Sequence, residues 1–138
     1  MTPAPLCLKG LASPDLEAHW MKTLKQFGQE HQWSDLTLHQ VQVVVEEWLE
    51  NLLSHAKAPS CGLIATLRLE DHESTLHLTL TDNGSSFNPL AAPERSLDLD
   101  LDDLQPGGWG LHLMRKLPSS SHYERLEDHN QLVLTFKK

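Results

Sequence analysis

Three short groups of residues, far apart in the sequence, have types and spacings that suit the binding of a phosphorylated ligand. In the first group, Glu47, Asn51 and His55 follow one another at steps of four, so on a helix each lies only about 40° around the axis from the last. An asparagine and a carboxylate one turn apart can share a hydrated Mg²⁺ ion and a water or hydroxyl nucleophile. The alternative is an exposed polar face, which a stripe of this kind is in most helices.

The second group follows a stretch with the periodicity of a strand. Leucines alternate with polar residues over 76–80, and Asp82 is the next position in the buried phase. A buried carboxylate is costly unless hydrogen-bond donors reach it, and the exocyclic amine of a purine would be such a donor. Asn83 and Gly84 then begin a turn in which backbone could lie against a flat ring. An Asp-Asn-Gly turn after a strand is also common without any ligand.

The third group is a glycine-rich run, Gly107, Gly108 and Gly110, that leads into a helical pattern over 111–117 and stops at Pro118. Glycine lets the backbone approach a ligand closely, and a helix N-terminus presents unpaired N–H groups that attract anions. The run therefore predicts a phosphate site. P-loop and Rossmann sites are disfavoured, because no Gly-Lys-Ser/Thr follows the glycines and no clear strand precedes them.

The whole chain sets limits on what such a site could serve. A length of 138 residues with 39% hydrophobic residues predicts a single domain over 1–138. The net charge of −8 argues against direct binding of nucleic acid and suits a basic protein partner. We expect a cytoplasmic protein with no membrane partner, because neither a signal peptide nor a spanning segment is evident. Cys7 and Cys61 stand alone, which indicates neither a disulfide framework nor a thiolate metal site.

The elements that must position the three groups follow from periodicity and capping signals. In chain order we expect a strand over 6–11, a helix from Pro14 to about Gly28, a helix from Asp35 that ends before Pro59, a hairpin over 62–82, a loop over 85–106, a helix over 111–117 and a last hairpin that turns around 128–130. This order predicts an α+β fold, a two-layer α/β sandwich in which helices cover one face of a mostly antiparallel sheet.

In this order the three groups resemble the N, G1 and G2 boxes of the GHKL ATP-binding fold, the Bergerat fold shared by gyrase, Hsp90, histidine kinases and MutL. More narrowly, "VVVEEWLENLLSHA", "LTLTDNGSSFNP" and "GGWGLHLMRKL" look like the small serine/threonine kinases that act as anti-sigma factors. The resemblance runs from about Leu16 to Lys137.

The resemblance implies a role for each group, with ATP and Mg²⁺ as cofactors. Asn51 would bind the Mg²⁺ ion, and Glu47 would be the catalytic base that accepts a proton from the substrate hydroxyl. Asp82 would bind the adenine, with Gly84 beside it. Gly108 and Gly110 would meet the phosphates, and Trp109 and Leu111 would also bind the cofactor. Residues 85–106 would be the ATP lid, and His55 would have either a structural or a nucleotide-proximal place.

The implied function is an ATP-dependent kinase that phosphorylates a STAS-domain anti-sigma antagonist and, as a homodimer, holds a sigma factor inactive. Ser86 stands where the family has a second G1 glycine, and Asn88 where it usually has Asp. Many relatives also carry a Thr near the start of the last strand. This chain has none at that place, and Thr135 lies further along the strand and is not equivalent. The alternative is a protein-binding module that keeps the fold but transfers no phosphate, which Ser86 and the acidic lid favour.

Overall fold

The structure of the chain is a computed structural model that describes residues 3–91 and 113–138. Its elements are β1 (Leu6–Leu11), α1 (Pro14–Glu30), α2 (Asp35–His55), β2 (Ile64–Asp71), β3 (Thr75–Asp82), a 3₁₀ turn (Pro89–Ala91), β4 (Ser120–Leu126) and β5 (His129–Lys137). Residues 113–116 are also helical. The predicted α+β fold with an antiparallel sheet is confirmed.

Both long helices begin at the serine caps that the sequence predicts. The Ser13 side chain accepts from the Leu16 backbone N–H at 3.0 Å, and the Ser34 side chain accepts from the Thr37 N–H at 3.1 Å. These bonds satisfy N–H groups that a helix start otherwise leaves unpaired. In the described part of the chain, no helix is both long and apolar enough to span a membrane.

Helix α1 continues past the predicted end at Gly28. This glycine is buried within the helix, and a Cβ placed on it would lie 2.8 Å from the ring of Trp33 and 3.2 Å from Leu38. Glycine is thus required here for close packing of the turn between α1 and α2, and it does not mark a helix end.

The five strands form one antiparallel sheet in the order β1-β2-β3-β5-β4. Because β5 pairs with β3, the end of β3 lies beside the start of β5, and Asp82 is the direct partner of Asn130. The sheet therefore brings two polar residues, 48 positions apart in the sequence, together at one end of two neighbouring strands.

One face of the sheet packs against the helices. The alternating leucines of β2, β3 and β5 are buried, and the rings of Trp20 and Trp48 stack between α1 and α2 with centroids 6.5 Å apart. Each fully buried leucine stabilises the fold by roughly 1.5–3 kcal/mol, so this shared layer fixes α2 firmly against the sheet.

The predicted position of the last turn was wrong. The last hairpin turns at Glu127 and Asp128, since Leu126 already pairs with His129, and Asn130 therefore belongs to β5. The segment predicted as a loop over 85–106 contains the 3₁₀ turn, in which the side chain of Asn88 accepts from the Leu90 N–H at 2.9 Å. The remainder of that segment, the three glycines and the first two residues of the predicted last helix lie outside the described residues.

Candidate functional site

A cavity lies between the last turns of α2, the adjoining ends of β3 and β5, and the edge strand β4. Asn51 and His55 line it from α2, Asp82 from β3 and Asn130 from β5, while Ser86 lies on the segment after β3. Leucines and a tryptophan supply apolar walls between these polar groups. A concave site with apolar walls and few polar groups is typical of a small-molecule pocket.

The polar stripe on α2 lies at the edge of the helix's buried face. Asn51 is half-buried, and within residues 3–91 and 113–138 no hydrogen bond joins its side-chain amide to another group. His55 is exposed at the end of the helix. Both residues therefore present polar atoms at the wall of the cavity.

Glu47 lies one turn before Asn51 and is not among the described residues that line the cavity. It is half-buried, and burial raises the pKa of its carboxyl, with repulsion from Glu50 and Glu46 raising it further. A carboxylate with a raised pKa accepts a proton more readily than an ordinary one.

An acidic cluster beside Glu47 was not foreseen from the sequence. Carboxylate oxygens of Glu17, Glu46 and Glu50 lie within 4.8 Å of one another. Burial raises the pKa of Glu17 to about 7, helped by repulsion from Glu50 and Glu46 and by a hydrogen bond with Glu50. The cluster depends on the crossing of α1 over α2, which no spacing in the sequence states.

Asp82 is 3% exposed, as its position in the buried phase of β3 predicts. Its Oδ1 atom accepts hydrogen bonds from the Gly84 N–H at 2.9 Å and from Asn130 Nδ2 at 3.0 Å. In the part of the chain that the structure describes, no group is bonded to Oδ2. Burial raises the pKa of Asp82, although the bonds from Asn130 and Gly84 and the charge of Arg125 oppose the rise.

The turn after β3 holds this aspartate in place. Asn83 donates to the Gly62 carbonyl at 3.0 Å and accepts from the Ile64 N–H at 2.7 Å, which ties the turn to the start of β2. A Cβ on Gly84 would lie 3.0 Å from Asp82 Oδ1 and 3.2 Å from the Ala56 Cβ. Gly84 therefore allows the turn to pack closely against both Asp82 and the end of α2.

Asn130 is the site residue that the sequence analysis missed. The polar run Asp128-His129-Asn130 is typical of a turn, and the structure instead places the turn one residue earlier and Asn130 in the sheet. A usable signal exists in the alternation of the last strand, because the buried positions Leu132 and Leu134 place Asn130 in the same phase.

The structure thus brings Asn51, His55 and Asp82 to one cavity, with Gly84 bonded to Asp82 and Glu47 one turn away. Gly108 and Gly110, predicted to meet the phosphates, lie outside the described residues. So do Trp109 and Leu111, predicted to bind the cofactor, and the predicted lid from residue 92 onward.

A family model described as a histidine kinase-like ATPase domain matches residues 11–136. The chain belongs to this family. A relative at 37% identity over 105 residues is the serine/threonine-protein kinase BtrW of Bordetella bronchiseptica, and the match covers 75% of this chain and 72% of BtrW. The resemblance to GHKL anti-sigma kinases is confirmed, and membership of an ATPase family implies the use of ATP.

A solved structure of the RsbU and RsbW domains of Rv1364c from Mycobacterium tuberculosis has the same fold, with a TM-score of 0.67 at 15% identity. The match covers 97% of this chain and 32% of that one, so this chain spans about a third of its length. At this identity the likeness concerns the fold alone.

Proposed function

We propose that this member of the histidine kinase-like ATPase family is an ATP-binding anti-sigma regulatory factor with serine/threonine protein kinase activity. The observation that carries the proposal is the shared cavity, in which Asn51 from α2 and Asp82 from β3 each keep a polar group without a partner in the described chain. The printed name of the relative BtrW, a serine/threonine-protein kinase, supports the assignment of the reaction.

The base of ATP fits the Asp82 end of the cavity. Asp82 Oδ2 would accept a hydrogen bond from the adenine amine, and the apolar walls would enclose the ring. A buried acceptor that gains a donor on binding recovers the cost of its desolvation, so the amine adds both affinity and specificity.

The phosphate end would lie toward Asn51. Its amide oxygen is a suitable ligand for Mg²⁺, a hard cation that prefers oxygen; when bound, the ion neutralises charge on the phosphates during transfer. Glu47, whose pKa is raised by burial and by Glu50 and Glu46, would orient the substrate hydroxyl and accept its proton. We also propose that Gly108 and Gly110 contact the phosphates.

The proposed partners are a STAS-domain anti-sigma antagonist as the phosphorylated substrate and a sigma factor that a homodimer holds inactive in the cytoplasm. The net charge of −8 supports protein partners with basic surfaces. Native mass spectrometry of the protein alone and with each candidate tests this part, and a strict monomer that binds neither protein contradicts it.

The reaction is tested with γ-labelled ATP, Mg²⁺ and a STAS-domain protein from the same genome. Wild type should label that protein, and Asn51→Ala should lower both labelling and Mg-ATP affinity by roughly 100-fold, as expected for loss of a metal ligand. Gln40→Ala removes an amide from the first half of the same helix, at a residue that does not line the cavity, and should change neither. Equal labelling by wild type and Asn51→Ala contradicts the proposal.

The second candidate function is a regulatory module that binds partners but transfers no phosphate. One observation favours it: Ser86, which stands where the family has glycine, lines the cavity and brings a side chain close to any ligand there. The same assay separates the two functions, because such a module binds the STAS protein and leaves it unlabelled.

A further inference from the structure

The side chain of Asn130 joins three parts of the chain beside Asp82. It is 6% exposed and lies directly opposite Asp82 in the register of β3 and β5. Its Nδ2 atom donates to Asp82 Oδ1 at 3.0 Å and to the Ser85 carbonyl at 2.8 Å. Both N–H groups of the amide therefore have a partner.

The oxygen of the same amide accepts three hydrogen bonds. They come from the Tyr123 hydroxyl at 2.6 Å, from Arg125 Nη1 at 3.2 Å and from the Phe87 backbone N–H at 3.3 Å. An arginine and a backbone N–H can only donate, so the oxygen of Asn130 must face them and its nitrogen must face Asp82. Strand β4 and the segment after β3 thus fix the orientation of the amide.

This orientation determines what Asp82 presents to the cavity. The N–H groups of Asn130 and Gly84 both bond to Oδ1, which holds the carboxylate in one position. Oδ2, to which no group in the described chain is bonded, remains as an acceptor. A ring edge that carries an amine matches this acceptor, whereas a carbonyl oxygen at the same place is repelled by it.

We infer that Asn130 is the positioning residue that sets base selectivity in this cavity, and that Tyr123 supports it through its hydroxyl group. The inference rests on the proposed nucleotide-binding function. The ligand class it selects is a 6-aminopurine nucleotide over its 6-oxo analogue, since the two differ at the ring position that would meet Asp82 Oδ2.

The experiment measures the affinities of ATP and inosine triphosphate (ITP), each with Mg²⁺, for the full chain and two variants. Valine and threonine have nearly the same shape, but only threonine can donate to Asp82 Oδ1. Asn130→Val should reduce the ATP-to-ITP affinity ratio by roughly 10-fold or more, the effect of an unmade buried hydrogen bond. Asn130→Thr should recover most of the ratio.

A matched control and a milder variant complete the design. Gln131→Val removes an amide from the next residue, on the opposite face of β5, and should leave the ratio unchanged. Tyr123→Phe removes the shortest hydrogen bond to the Asn130 side chain and should lower the ATP-to-ITP affinity ratio by roughly 3-fold. If Asn130→Val does not fold, this variant tests the inference in its place. Retention of the wild-type ratio by Asn130→Val, or by Tyr123→Phe in that case, overturns the inference alone. A folded wild type that binds neither nucleotide overturns the proposed function as well.

Discussion

Two buried aspartates end the two strands of one hairpin, Asp71 in β2 and Asp82 in β3, and they lie at opposite ends of the sheet because the strands are antiparallel. Asp71 accepts from His31 Nδ1 at 2.9 Å and from Trp33 Nε1 at 3.2 Å on one oxygen, and from Lys138 Nζ at 2.5 Å on the other. Both of its oxygens are thus bonded, and one partner is a cation.

Their pKa values shift in opposite directions for physical reasons. Burial alone would raise the pKa of Asp71, but hydrogen bonds from Lys138, Trp33 and His31 lower it below its usual value. Burial raises the pKa of Asp82, and its neutral donors only partly oppose this. A buried carboxylate bonded at both oxygens stabilises a fold, whereas one left half-bonded at a cavity wall is suited to a ligand.

The largest expected effect is on the stability of the Asp71 end. Asp71→Ala leaves His31 and Trp33 without this acceptor and leaves Lys138 with only the His72 carbonyl. The free energy of unfolding should fall by about 3 kcal/mol. Urea denaturation measures this loss, while the ATP affinity of the folded molecules should not change. A stability loss under 1 kcal/mol would mean that the network contributes little.

The loss of folding stability at low pH should also depend on Asp71. Since the pKa of Asp71 is lower in the folded chain than in the unfolded one, its stabilisation is complete above the unfolded value of about 3.9 and is lost as the pH falls below it. Asp71→Asn should therefore flatten the decline in stability between about pH 4 and pH 2. An unchanged slope contradicts the assigned shift.

The sequence predicted the buried position of Asp82 but did not predict the hydrogen-bond network of Asp71. Asp82 was recognised because the leucines before it show the phase of the buried face, and that phase is a local signal. The partners of Asp71 come from the turn after α1 and from the last residue of the chain, so only the tertiary fold brings them together.

The same reasoning explains the other misses at the site. Asn130 lies in β5 because the turn before it is completed by Glu127, which has a φ of 47°, a left-handed conformation that is uncommon for glutamate. The pairing of β5 with β3 then places Asn130 against Asp82, 48 residues away in the sequence, which no local spacing predicts. The three motifs, by contrast, pointed to the family directly, because each is a short run whose internal spacing does not depend on packing, and their order is read from the sequence.

The turn that supports Asp82 should tolerate a side chain less well than a glycine position away from the cavity. Gly84→Ala forces Asp82, Leu63 and Ala56 to shift by a few tenths of an ångström, and should cost about 1–2 kcal/mol of stability and roughly 10-fold in ATP affinity. In Gly10→Ala the new Cβ meets only the flexible end of Leu16, so stability and affinity should both stay near wild type. Equal behaviour of the two variants contradicts the role of Gly84.

The smallest expected effect concerns Glu17 in the acidic cluster. Its pKa is raised to about 7 in the folded chain, so its ionisation reduces stability as the pH rises from about 4.3, the unfolded value, toward 8. Glu17→Gln should therefore raise the free energy of unfolding at pH 8 by about 1 kcal/mol or less after solvent screening, with no gain near pH 4. Glu73→Gln removes one carboxylate at an exposed site in the turn after β2, and it should leave the free energy of unfolding at pH 8 near that of wild type.

The most direct measurement compares the same isosteric change at the two ends of the hairpin. In Asp82→Asn the oxygen can still accept from Gly84 and Asn130, but an N–H donor replaces Oδ2 and opposes the adenine amine. Mg-ATP titration should show an affinity loss of roughly 100-fold for Asp82→Asn and less than about 2-fold for Asp71→Asn. Wild-type affinity in Asp82→Asn, or an equal loss in both variants, would contradict the assignment of Asp82 as the base-binding residue.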